Sequence, residues 1–427
     1  MRNLIRRVTD SLFTISVLIV LACIGAAFGA LYLDSTFAES LDGWPIVLGT
    51  TVVGGRAMLT TVASATITVA AIVFSITALS TQMAASQYSP RALGGFFEDP
   101  FQQAVIGLVI GTFLYALLVL ASLSSAIIDG GAEATPSVSV TLALVLGVLS
   151  VVAIVWYINR SLRRMQIDSV VRRIAAGSRR AIDLHLQSGD SEEPTNLGGH
   201  PPEGPPGTVR AESSGWVTRI DAERALSALE AGSTARIDVR VGEAVSPGDR
   251  IATIWPDPGE GWSGMDQVRR SVVTASERSL ELDPTFGMRQ LVDIALRALS
   301  PGVNDPTTAV DVIHHLKTPV RRVLLSDAPR RVYSREGDRK VFLAEIPGRS
   351  EYVHAAFSEI RLAAAGQPYV LRALIEVLDD LRSDLEGEHL TSRRSAVEEE
   401  VELTVETARS SGLPVPDLKR VLETRDS

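Results

Sequence analysis

Four apolar runs occupy the first 158 residues of this chain, and each is long enough to cross a bilayer. Spanning the hydrocarbon core takes roughly 20 predominantly apolar residues in helical form. The runs fall near Ser11–Leu33, Ala57–Thr81, Gln103–Ser124 and Ser137–Ile158. Without water, every backbone N–H and C=O in them must find an internal partner, which a helix supplies. The expected fold is an α-helical membrane protein with four transmembrane helices, followed by an α+β region. The first run is too long for the apolar part of a signal peptide, and no clear small-residue cleavage site precedes a soluble domain.

Arginine placement sets an expected orientation. Arg2, Arg6 and Arg7 precede the first run, and Arg160, Arg163, Arg164, Arg172, Arg173, Arg179 and Arg180 follow the fourth. The segment between the third and fourth carries Asp129 and Glu133 and no basic residue. The segment after the first carries Asp34, Glu39 and Asp42 before Arg56. The positive-inside rule then places both termini in the cytoplasm. The net charge of −9 argues against a nucleic-acid binder. Cys23 is the sole cysteine, so one chain holds neither a disulfide framework nor a cysteine zinc site.

The second run is sorted in an unusual way. Ala57, Thr61, Ser64, Thr68, Ala71, Ser75, Ala78 and Gln82 step by four and three residues, which on a helix keeps them on one stripe. The stripe is small and polar, whereas Leu59, Val62, Val69, Val73, Ile76 and Leu79 lie elsewhere around the helix. Such a face either packs closely on another helix or lines a path for water. No Asp, Glu, Lys or Arg falls in the apolar centre of any run, which removes the usual marker of a proton relay. Gly25 with Gly29, and Gly107 with Gly111, are pairs four apart that permit close helix crossing. Trp156 and Tyr157 stand where an interfacial anchor belongs.

Between the second and third runs, Ser89, Pro90 and Arg91 lie in a patterned loop, and Asp99-Pro100 reads as a helix start. The apolar, glycine-rich segment from Gly43 to Gly55 is too short to span and reads as re-entrant or interfacial. Along the whole chain the expected organisation is a four-span domain over 1–160, a helical extension over 161–187 and a Pro/Gly-rich linker over 188–207. A small β domain over 208–256 and a mostly helical domain over 257–427 with a hairpin near Arg331–Glu345 follow. VRVGEAVSPGDRIATI is similar to the half-motif of biotinyl/lipoyl-like barrel-sandwich domains. No lysine lies between Thr208 and Trp255, so covalent cofactor attachment is not expected.

Chemistry-bearing residues are densest in MRQLVDIALRALSPGVNDPTTAVDVI. Arg289, Asp293 and Arg297 share one helix face, and Ser300, Asn304 and Asp305 form the turn into the next helix. A helix start beside arginines suits an anion. The alternative is that the turn residues simply cap helices and the Arg–Asp pairs stabilise the face. His314 and His315 are adjacent and point apart on a helix, so they make no chelating pair with one another, and His354 lies farther on. No nucleotide-binding, zinc-protease or serine-hydrolase motif is present, and no catalytic residue, metal or cofactor is expected.

The stretches TVASATITVAAIVFSITALSTQMAASQYSPRALGGFFEDP and FGMRQLVDIALRALSPGVNDPTTAVDVIHHL together resemble the predicted-membrane-protein family catalogued as domain of unknown function 2254. The likeness covers nearly the whole chain. It implies a bacterial inner-membrane protein with four spans and a cytoplasmic C-terminal region, and it supplies no activity. From the residues, the first expectation is a non-enzymatic homo-oligomer in the lipid bilayer that conducts or controls an ion or small solute, regulated by its cytoplasmic domain. The alternative is a membrane-anchored sensor or scaffold whose cytoplasmic domain binds an anionic ligand or a protein partner.

Overall fold

A computed structural model of the chain describes residues 14–41, 51–87, 100–128, 136–164, 167–186, 204–259, 261–327, 331–344, 347–385, 387 and 390–423. It divides into two compact units, Met1–Gln166 and Ile167–Ser427. The loop motif Ser89, Pro90 and Arg91, and most of the expected linker, lie outside the described residues.

The first unit holds helices α1 (Thr14–Leu41), α2 (Val52–Gln87), α3 (Pro100–Ile128) and α4 (Ser137–Arg164). All four are long and apolar enough to cross a membrane. Each outruns the apolar stretch that announced it, because helical hydrogen bonding continues into polar flanks that sequence hydropathy does not count. Asp34, expected in a loop, is therefore inside α1. Its carboxylate accepts from the Val138 N–H (2.9 Å), the Ser139 N–H (2.9 Å) and the Ser139 hydroxyl (2.5 Å). An acid from one span thus satisfies the exposed donors at the start of another.

Helix α3 is the hub. Half of its apolar window is buried, against 22%, 22% and 28% in the other three, and it packs on all of them. Its glycine pair explains how. A Cβ at Gly107 would sit 2.8 Å from Ser16 Cα, and one at Gly111 would sit 2.7 Å from Cys23 Sγ. Only glycine allows α1 to lie this close. The crossing is pinned by the Ser16 hydroxyl donating to the Gln103 carbonyl (2.7 Å). The other glycine pair behaves differently: a Cβ at Gly25 or Gly29 meets nothing within 4 Å. At one end of the bundle Trp156 meets Phe101 edge-on at 5.1 Å, with Arg160 over the same ring.

The second unit opens with α5 (Ile167–Leu186). Strands β1 (Gly207–Arg210), β2 (Gly215–Ile220), β3 (Thr234–Ile237), β4 (Ala244–Val245), β5 (Arg250–Trp255) and β6 (Val272–Ala275) follow, with α6 (Ala222–Ala228) and α7 (Met265–Ser271) between them. Then come α8 (Pro284–Ala298), α9 (Pro306–Leu325), β7 (Val332–Arg335), β8 (Arg339–Phe342), α10 (Arg349–Ala363), α11 (Pro368–Ser383), α12 (Thr391–Ser410) and α13 (Val415–Glu423). Sheet order is β1-β5-β3-β8-β7 in one sheet and β4-β2-β6 in the other. Residues of both, among them Val217, Ile237, Val245, Ile254 and Val341, share one apolar core with Leu226 and Val268. Gly242 and Gly248, at φ 86° and 94°, make the turns on either side of Val245.

Two sequence boundaries shift. The hairpin assigned to the helical part joins the β region, because β8 pairs in parallel with β3, Ala235 opposite Val341. Strand β6 also lies beyond the expected limit at residue 256 and pairs with β2. Helix α9 carries Pro319 inside it. Proline removes one helical hydrogen bond, yet Pro319, Val320 and Leu324 are buried, so packing holds the helix together past that point.

Gly107→Val should destabilise the bundle by about 1–3 kcal/mol, the usual cost of overpacking a tight contact. Gly25→Val should leave thermal unfolding of the detergent-solubilised monomer, followed by helical circular dichroism, unchanged.

Candidate functional site

The α2 stripe turns outward. Ala57, Thr61, Ser64, Thr68, Ala71, Ser75, Ala78 and Gln82 are all exposed on the chain. Helix α2 buries a different series, Leu59, Ala63, Thr66, Ala70 and Val73. Polar bonding between spans also uses other faces: Thr77 meets the Tyr157 hydroxyl at 2.6 Å and Thr112 meets Ser150 at 3.1 Å. Stripe hydroxyls instead bond back to their own helix. Thr61 donates to Ala57 O (2.8 Å), Thr68 to Ser64 O (2.8 Å) and Ser75 to Ala71 O (2.9 Å). The donors are thereby satisfied, and each hydroxyl oxygen keeps acceptor capacity. Among the described residues, no other helix of the first unit covers this face.

The arginine-rich turn is organised from within. Arg289 on α8 donates through Nε to Asp293 (2.8 Å) and through its terminal nitrogen to Glu359 on α10. Hydrogen bonding to Glu359, with Asp293 adding its charge, holds the guanidinium above its ordinary range. Arg297 is exposed on the next turn. The Ser300 hydroxyl donates to Arg297 O (2.7 Å), and Asn304, at φ 48°, takes the left-handed conformation that reverses the chain. Asp305 caps α9, accepting from the Thr308 N–H (3.1 Å) and hydroxyl (2.6 Å). Arg289 and Asp293 come together as their spacing suggested, and Ser300, Asn304 and Asp305 each serve the turn or a helix end.

A denser polar node escaped the sequence reading. Glu400 on α12 is 0% exposed. It accepts from Arg361 Nε (2.9 Å) and the Ser358 hydroxyl (2.9 Å), and it lies 2.9 Å from His354 Nδ1. His354, Ser358 and Arg361 stand at i, i+4 and i+7 on α10, a spacing that gives one polar face and could have flagged them. The grouping is not a hydrolytic triad. Serine and glutamate approach the same ring nitrogen, and the hydroxyl donates to the carboxylate rather than to the imidazole. Its work is to join α10 to α12.

Asp311 on α9 is a second polar contact, this one against α5. Burial, with Asp168 beside it, raises its carboxyl above the ordinary range, while His315 and Arg172 pull the other way. His315 Nδ1 lies 3.4 Å from the Asp311 carboxylate. His314 is exposed. Among the described residues, no group of three or more His, Cys, Asp or Glu is arranged to hold a metal ion.

A protein-family model described as predicted membrane protein, DUF2254, matches residues 9–380. The chain belongs to the DUF2254 family. It is 33% identical over 377 residues to uncharacterized proteins of Mycobacterium bovis and Mycobacterium tuberculosis H37Rv, covering 86% of this chain and 70% of each relative. No solved structure matches it. The DUF2254 match takes in the α2 stripe and the Ser300–Asp305 turn and ends within α11, so Glu400 lies beyond it.

Glu400→Ala should cost this DUF2254 protein about 3 kcal/mol, because the largely buried Arg361 loses its carboxylate; chemical denaturation of the full chain reads the loss. Asp311→Asn works in the opposite sense. A carboxyl whose folded pKa is raised binds protons more tightly folded than unfolded, so its contribution worsens as pH rises above its ordinary value. The substitution should raise the melting temperature at neutral pH, and the advantage should vanish below pH of about 4.

Proposed function

We propose that this DUF2254 protein is a homo-oligomer in which α2 stripes from several copies face a common path for an ion or small solute. The observation that carries the reading is the exposure of the entire stripe on a helix otherwise built to span. Left against lipid, a row of hydroxyls gains nothing, whereas a neighbouring subunit or a water-filled path accommodates it. The back-bonded hydroxyls fit a wall that offers oxygen acceptors to a passing cation. Arginines flanking the first and fourth spans support cytoplasmic termini in a bacterial inner membrane. In this reading the protein is not an enzyme, and the C-terminal unit regulates the path.

The sensor reading draws less support. Of its proposed anion site, Arg289 is committed to Asp293 and Glu359 and Asp305 caps α9, which leaves Arg297 as the exposed cation. The test is flux across bilayers holding the purified full-length protein. Replacing Ser64, Thr68 and Ser75 with leucine should bring flux to the level of protein-free bilayers, with assembly unchanged by size-exclusion chromatography. Undiminished flux in a well-assembled triple variant would refute the pore.

A further inference from the structure

The charge of this chain is unevenly placed. Between Ile158 and Gln187 seven arginines stand against two aspartates, in a chain of net charge −9. The remainder is therefore strongly acidic. Helix α5 carries four of these arginines, and its two faces differ sharply. Val170, Val171, Ile174, Ala181 and Ile182 are buried, and the helix packs on α8 and α9. The approach is close: a Cβ at Gly287 of α8 would sit 2.6 Å from Ser178 Cβ. The opposite face exposes Arg172, Arg173, Arg179 and Arg180.

Arg172 and Arg179 sit in exposed ion pairs. Arg172 meets Asp168 at 3.0 Å with its side chain 64% exposed, and Arg179 reaches Asp183 only at 3.7 Å with 60% exposed. Exposed pairs of this kind contribute little and exchange readily with other anions. Arg180 donates to Ala176 O on its own helix. One turn farther, Leu184 is 56% exposed, an apolar side chain beside the basic row. In sequence, α5 starts three residues after Arg164, the last residue of α4.

We infer that the exposed arginine face of α5 binds the phosphate groups of anionic phospholipids in the bilayer that the spans cross. Guanidinium groups meet phosphate oxygens with paired, charge-assisted hydrogen bonds, for which arginine is better shaped than lysine. Juxtamembrane basic clusters are drawn to anionic leaflets within about a Debye length. The acidic remainder is repelled by the same surface, so the charge asymmetry directs this face toward lipid. A free polyanion such as nucleic acid fits less well, because the basic row directly follows a membrane-crossing run in sequence and the acidic bulk of the chain opposes it.

The experiment places one fluorophore on the face. Ala176 is exposed between the two arginine pairs, and Ala176→Cys in a Cys23→Ser background gives a single labelling position. The full-length protein is placed in nanodiscs of phosphatidylcholine, with or without phosphatidylglycerol, and probed with a water-soluble quencher. Quenching should fall several-fold in the anionic discs, return on raising the salt, and stay high when Arg173→Gln and Arg180→Gln are combined. Equal quenching in the two lipids would overturn the inference, as would protection that appears only on adding an oligonucleotide. The lipid and salt comparisons use the native arginines, so they decide the matter even if the double variant assembles poorly.

Discussion

Close backbone approach between α1 and α3 is the contact on which the membrane unit depends. Lipid is as apolar as leucine, so burying side chains between spans gains little. Association there rests on tight packing and on interhelical hydrogen bonds. Gly107 and Gly111 supply the first by admitting Ser16 and Cys23 to distances no side chain would allow. Ser16 with Gln103, and Asp34 with Ser139, supply the second at different points along α1. With α3 central and α1, α2 and α4 packed against it, the small residues that take no part in this packing are left facing outward. The α2 stripe and the Gly25–Gly29 pair are among them.

Much of the membrane unit was legible because hydropathy over some twenty residues is a strong local signal. The four spans appear where the apolar runs lie, and only their ends moved. Which glycine pair is used was not legible. Gly25–Gly29 and Gly107–Gly111 have the same spacing, and only the three-dimensional arrangement shows that the second pair is closed and the first is open. The stripe was visible as a pattern, but its direction was not, since Ala63, Thr66 and Ala70 form an equally small series on the same helix and are the ones that pack.

The C-terminal unit shows where local reasoning stops. Turns at Gly242 and Gly248 and the caps at Asp283 and Asp305 are encoded within a few residues. The pairing of β3 with β8 joins segments about a hundred residues apart and leaves no local trace. The Glu400 node also depends on long-range contact, although the one-sided spacing of His354, Ser358 and Arg361 hinted at it. The turn after α8 lies between the two cases: Arg289 and Asp293 sit together as spacing implied, while the bond from Arg289 to Glu359, seventy positions away, has no local signature.

The proposed function requires that α2 stripes from several copies face one another across a narrow common path. Cross-linking in native membranes tests it most directly, since replacing Cys23 with serine leaves a cysteine-free background. Thr68→Cys should form a disulfide-linked dimer under mild oxidation, while Val151→Cys, on an exposed part of α4, should not. No dimer at Thr68, or equal dimer at both positions, would contradict the account.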